Sequence, residues 1–185
     1  MNIVNSTYHY SFYIYGKLRT LCCYYFPNVL TPDMEKVSDN IYIGNLSSTI
    51  NLEDLKTHNI KHIISAVSGV YPLYPDEINY TCLDLLDESF FDIFPVFDET
   101  NKIIDAINDD EKILIHCICG VSRSVTIVCA YLIYKHGYTP EVALNMIKKH
   151  RSIANPNIGF IEQLNNYYNK LYPNEIDQKK LISNN

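Results

Sequence analysis

The stretch KILIHCICGVSRSVTIVCAYLIYKHG, residues 112–137, decides the fold. Its opening, Lys112 to Ile115, is short, apolar and β-branched, the composition of a buried strand. From Ser124 onward Val125, Val128, Cys129, Leu132 and Ile133 recur at helical spacing, and Gly137 supplies a stop. Between strand and helix lies the loop Cys117-Ile118-Cys119-Gly120-Val121-Ser122-Arg123. A strand, a tight glycine-bearing loop and a helix N-terminus together make an anion cradle. Loop N–H groups converge on one point, and the helix dipole adds partial positive charge there.

Upstream, KVSDNIYIGNL (36–46) alternates apolar and polar residues and then meets Gly44-Asn45, which predicts two short strands and a turn. NLEDLKTHN (51–59) opens on Asn51 with acids in its first turn, a short capped helix. IKHIISAV (60–67) and INYTCLDLL (78–86) read as buried strands, and FPVFDETNKIIDAINDDE (94–111) as a helix. Downstream, TPEVALNMIKKHR (139–151) has Thr139 as cap with Pro140 at the first helical position, and NIGFIEQLNNYYNKLY (157–172) is a further helix. Strands alternating with helices, then a helical second half, predict one α/β domain with a mixed central β-sheet flanked by helices. Its expected extent is 35–172, after a tyrosine-rich extension (1–34) closed by PNVLTPD and before a polar tail (173–185).

Length and composition bound the answer. At 185 residues and 47% hydrophobic composition the chain suits one well-packed domain. A net charge of −6 argues against nucleic acid as a partner. No stretch reaches transmembrane length, and the N-terminus makes a poor signal peptide. The cysteines at 22, 23, 82, 117, 119 and 129 form no spaced disulfide framework, so a reducing, cytoplasmic compartment, with nuclear access open, is the expectation.

Cys117, at a strand end facing a helix N-terminus with Arg123 six residues on, sits where a thiol pKa is lowered. A thiolate among convergent N–H donors can attack a phosphorus atom held in the same cradle. Arg123 offers a planar fork for two phosphate oxygens at once. Ser124 places a hydroxyl where it can stabilise the sulfur as a leaving group, and His116 is expected to hold the loop's shape rather than act as a base. His116, Cys117 and Cys119 crowd onto one turn without a second ligand pair, so no metal is expected. Cys82 and Cys129 read as inert filler, and the basic run at 148–151 as a complement to a helix C-terminus.

HCICGVSRS matches the His-Cys-five residues-Arg-Ser/Thr signature of the cysteine-dependent protein tyrosine phosphatase superfamily, and its GVSRS ending followed by AYLI resembles the dual-specificity branch. NIYIGN, TPEVALNMIKKHR and NPNIGFIEQL are similar to segments of that branch in the same order, so the likeness runs from about 35 to 172. Cys119 departs from it, since relatives usually carry a small residue such as Ala there.

A phosphate monoester also needs a proton for its leaving oxygen, from a carboxyl on a mobile loop. Asp84, Asp87, Glu88 and Asp92 are candidates. Asp87 is the first carboxylate after the apolar run and also stands where the resemblance places the acid. The resemblance further implies that Asn157 ties a neighbouring loop to the cradle. It implies hydrolysis of phosphotyrosine and phosphoserine/threonine through a cysteinyl-phosphate, without cofactor, on phosphorylated proteins that can include a protein kinase. The loop interior holds no lysine, unlike phosphoinositide-directed relatives. The alternatives are a non-protein ester, such as an RNA 5′ end or a glucan, and a binding-only pseudophosphatase.

Overall fold

A computed structural model describes residues 31–173. Five strands, β1 (Met34–Lys36), β2 (Ile41–Gly44), β3 (Ile60–Ala66), β4 (Asn79–Leu83) and β5 (Lys112–His116), form one sheet in the order β1-β2-β5-β3-β4. β1 pairs antiparallel to β2, and every other pairing is parallel, so the sheet is mixed as expected. The helices are α1 (Leu52–Thr57), α2 (Phe97–Asp105), α3 (Arg123–His136), α4 (Pro140–Lys148) and α5 (Ile158–Leu171). The period-2 alternation of β5 sorts the two faces. Ile113 and Ile115 join the large core under α2–α5, while Leu114 joins Leu55, Ile60, Ile63 and Ile78 beneath α1. All three β5 side chains are fully buried, each contributing roughly 1.5–3 kcal/mol. Caps fall where the sequence placed them: Asn51 accepts from Glu53 and Asp54, Thr139 from Val142, and Gly137 closes α3 at φ +69°.

Three expectations need correction. The turn of the first hairpin lies at 37–40, where Val37 N–H donates to Ile41 O at 2.9 Å, and not at Gly44-Asn45. Gly44 is small for another reason: a Cβ there would lie 2.3 Å from Ser48 Oγ, and its carbonyl abuts Gly120. The strand read from 78–86 spans only Asn79–Leu83 and is a half-exposed edge, since sheet order puts it outermost. Cys82 on it is consequently exposed, whereas Cys129 is buried and its thiol is pushed far up by that burial. The extension and tail expected at 1–34 and 173–185 fall almost wholly outside the described residues.

Candidate active site

Parallel pairing aligns the C-terminal ends of three strands: Gly44 and Ser65 both stand beside His116. From that edge the chain turns through 117–122 into α3. Each carbonyl of this loop is held from outside. Cys117 O accepts from His116 Nδ1 (3.2 Å), Ile118 O from Leu46 N (3.1 Å), and Cys119 O from Arg151 Nη2 (3.3 Å). Gly120 O accepts from Arg151 Nε (2.7 Å), Val121 O from Asn155 N (2.8 Å), and Ser122 O from Thr126 N (2.8 Å). With the carbonyls turned out, N–H groups face in, and Gly120 N donates to Cys117 Sγ at 3.2 Å. Gly120 adopts φ +67°, and a Cβ there would lie 2.6 Å from Gly44 O, so both conformation and space require glycine.

Cys117 is 1% exposed. Burial would push its thiol up, but the Arg123 guanidinium, the Ser124 hydroxyl (3.4 Å from Sγ) and the Ser124 and Val121 N–H groups outweigh it, holding the thiol below its ordinary value. His116 is pushed down to about 4 by burial, which outweighs the opposing bond to Cys117 O, with the Arg123 charge adding to the fall. The ring is therefore neutral. Because Nδ1 must donate to a carbonyl, Nε2 accepts from Ser65 Oγ at 2.8 Å.

Arg123 anchors Nη1 on Leu85 O (3.1 Å). Its Nε is buried without a hydrogen-bond partner, 3.6 Å from Asp87 Oδ2. An orphaned guanidinium N–H beside inward-facing amides calls for an anion. Asp87 reaches the same place from the segment after β4. Its Oδ1 accepts from Ser122 Oγ (2.7 Å) and Asn157 Nδ2 (3.0 Å), which turns Oδ2 toward Arg123. The approach expected of a mobile loop is already made here.

Cys117, Arg123, Ser124, Asp87, Asn157 and His116 thus meet at one locus, with residues 118–122 forming its floor. Asp92 does not join them, because its Oδ1 caps Phe94 N at 3.3 Å; Glu88 is exposed. Cys119 is exposed although its carbonyl is bound. Among the described residues no cluster of His, Cys, Asp or Glu could hold a metal ion.

Sequence reasoning missed a clamp on the acid's loop. Gln163 Oε1 accepts from Ile93 N (2.8 Å) and Phe94 N (2.9 Å), and its Nε2 donates to Phe91 O (2.8 Å). Gly159 admits the Ser89 carbonyl so closely that a Cβ would lie 1.8 Å from its oxygen. A glycine in the first turn of a helix was the available signal. Arg151, read as a helix-end charge, is instead fully buried and paired with Asp33 (2.7 Å) and Glu35 (2.9 Å) while holding the loop carbonyls.

Residues 41–170 match the family model for the dual specificity phosphatase catalytic domain. Dual specificity protein phosphatase 1B of Arabidopsis thaliana is 36% identical over 143 residues, covering 77% of this chain and 86% of that protein. MAP kinase phosphatase with leucine-rich repeats protein 1 of Dictyostelium discoideum is 35% identical over 138 residues, 75% of this chain but only 16% of that protein. The crystal structure of DUSP15 superposes with a TM-score of 0.70 at 34% identity, covering 74% of this chain and 87% of that one. With signature, matched extent and superposition in agreement, the chain belongs to the dual specificity phosphatases, the cysteine-dependent protein phosphatases of the protein tyrosine phosphatase superfamily.

Proposed function

We propose that Cys117, Arg123, Asp87 and Ser124 carry the phosphatase reaction. The buried Nε of Arg123, facing Asp87 but satisfied by no hydrogen bond, beside a pKa-lowered thiol is the observation that supports this most strongly. The Cys117 thiolate attacks phosphorus in line, forming S–P as P–O breaks. Asp87, through Oδ2, gives its proton to the departing oxygen. Arg123 and the inward N–H groups of the loop meet the equatorial oxygens. Water then attacks the cysteinyl-phosphate and loses its proton to Asp87. Phosphate leaves, and Ser124 stabilises the released thiolate. Ser122 and Asn157 orient the acid, and His116 fixes the first loop carbonyl.

Substrates in this reading are proteins phosphorylated on tyrosine and on serine or threonine. The lysine-free loop interior favours a monoester over a polyphosphorylated lipid headgroup. A protein kinase as substrate is supported by the name of the Dictyostelium relative. The reading takes the catalytic domain as 35–172 and its setting as the cytoplasm, supported by six cysteines with no spaced disulfide framework; among the described residues no helix is long and apolar enough to cross a membrane. The test is phosphate release from phosphotyrosine and phosphothreonine peptides and an aryl phosphate by the parent, Cys117→Ser and Asp87→Asn. Cys117→Ser is expected to abolish turnover while still binding tungstate, and Asp87→Asn to lose about 10²–10⁴-fold on phosphotyrosine peptide. A turnover-competent Cys117→Ser would refute the mechanism.

A further inference from the structure

The rim of the cleft on the acid's side is apolar in the open. Phe90 is 82% exposed and Ile158 67% exposed. They belong to different elements whose backbones meet one residue away from each. Phe90 follows Ser89, whose carbonyl lies against Gly159, and Ile158 immediately precedes Gly159. The same two segments are joined by the Asn157–Asp87 hydrogen bond. Two large exposed apolar residues therefore stand next in the chain to the segments joined by the Asn157–Asp87 bond. The run 84–92 beside them carries Asp84, Asp87, Glu88 and Asp92 and no Lys, Arg or His, with Asp87 itself facing Arg123 at 3.6 Å.

In-line attack puts the leaving oxygen opposite Cys117 Sγ, where Asp87 can meet it, and a phosphorylated residue whose main chain runs past Asp87 crosses the 87–90 segment and the start of α5. We propose that Phe90 and Ile158 form a rest for an apolar side chain neighbouring the phosphorylated residue, so that the enzyme selects phosphoprotein segments with an apolar flank and rejects acidic ones. This rests on the phosphoprotein reading above. Burial of a leucine against two exposed apolar side chains favours the bound state, and a flanking carboxylate meets like charge from Glu88 and Asp92 on the same segment.

The experiment compares kcat/KM for phosphotyrosine peptides that differ only in the two residues flanking the phosphotyrosine: Leu, Gly or Asp. The parent is expected to prefer Leu over Gly by about 10-fold, with Asp poorer than Gly. The double variant Phe90→Ser/Ile158→Ser is expected to bring the Leu-to-Gly ratio toward one. Tyr134→Ser is the control: Tyr134 is 43% exposed but lies eleven residues along α3 from Arg123, roughly 16 Å away. It should leave the ratio intact. A flat ratio in the parent, or a full ratio surviving in the double variant, overturns the apolar rest alone. Hydrolysis of an aryl phosphate with no turnover of any peptide overturns the phosphoprotein reading and the rest with it.

Discussion

Replacing Gly159 with alanine tests whether the acid must be held where it is found. On helix propensity alone the substitution would stabilise α5 by about 1 kcal/mol. The new Cβ, however, would stand 1.8 Å from Ser89 O, 2.6 Å from its carbonyl carbon and 2.9 Å from its Cα. All three atoms are backbone, so no side chain can swing aside. Restoring an ordinary separation of roughly 3.5 Å moves the loop away from α5 by on the order of 1.5 Å. Asp87 is two residues from Ser89 and is tied to Asn157, which precedes the same helix turn, so the displacement falls on the proton donor. Misplacement by an ångström costs about 10²-fold, within the ~10²–10⁴-fold that general acid catalysis supplies. Gly159→Ala is therefore expected to lose about 10²-fold in kcat on phosphotyrosine peptide. The loss should shrink along a series of aryl phosphates as the leaving phenol becomes more acidic, because a good leaving group needs no proton. In an Asp87→Asn background the same change should cost almost nothing further. Equal loss across the leaving-group series, or full additivity with Asp87→Asn, would refute the reasoning.

Two further outcomes follow from buried groups. Arg151→Met removes the donor to two loop carbonyls and leaves Asp33 and Glu35 without their partner; because those carboxylates are 38% and 43% exposed and rehydrate, the loss is expected near about 2–3 kcal/mol, below the usual range for breaking a buried pair. Urea unfolding measures it, and an unchanged midpoint with unchanged tungstate affinity would contradict the role given to Arg151. His116 is held near 4 in the folded chain against 6.5 when free, so the unfolded chain binds the extra proton between those values. Stability from this group is complete above pH 6.5 and is lost as pH falls toward 4, by about 3 kcal/mol at most. Unfolding free energies at pH 7 and 4.5 should therefore differ less in His116→Gln than in the parent.

What the sequence made legible was local. The strand, loop and helix of 112–137 announce themselves by two periodicities and a signature, and the caps Asn51, Thr139 and Gly137 each act within a few residues of where they stand. Cys117 and Arg123, the proposed nucleophile and its arginine, share that stretch. The losses were long-range. Nothing in INYTCLDLL states that its strand will be outermost, because sheet order is settled by crossovers, and so Cys82 was read as buried. Gly44 reads as a turn glycine because Gly-Asn after an alternating run is a turn signal; the contacts that demand its smallness, Ser48 Oγ at 2.3 Å and Leu114 at 3.1 Å from a Cβ there, exist only once the strands and the following turn have packed. Gln163 grips main-chain groups some 70 residues earlier, and a backbone N–H leaves no mark in a sequence. Arg151 is one of four consecutive basic or imidazole side chains, and only the packing shows that it alone faces inward.

The outward-turned carbonyls of residues 117–122 divide labour between main chain and side chains. In the proposed reaction anion recognition falls to peptide groups, whose geometry is enforced by Leu46, Thr126, Asn155, Arg151 and His116 from positions outside the loop. The side chains at 118, 119 and 121 are thereby released from the chemistry, which is how an exposed cysteine can occupy 119 without disturbing the cradle. Those three positions form a face mounted on a frame whose hydrogen bonds do not depend on them. Drift or selection can rewrite them to suit a new clientele while the thiolate beneath keeps its reactivity, so substrate range in such a loop can evolve faster than catalytic competence.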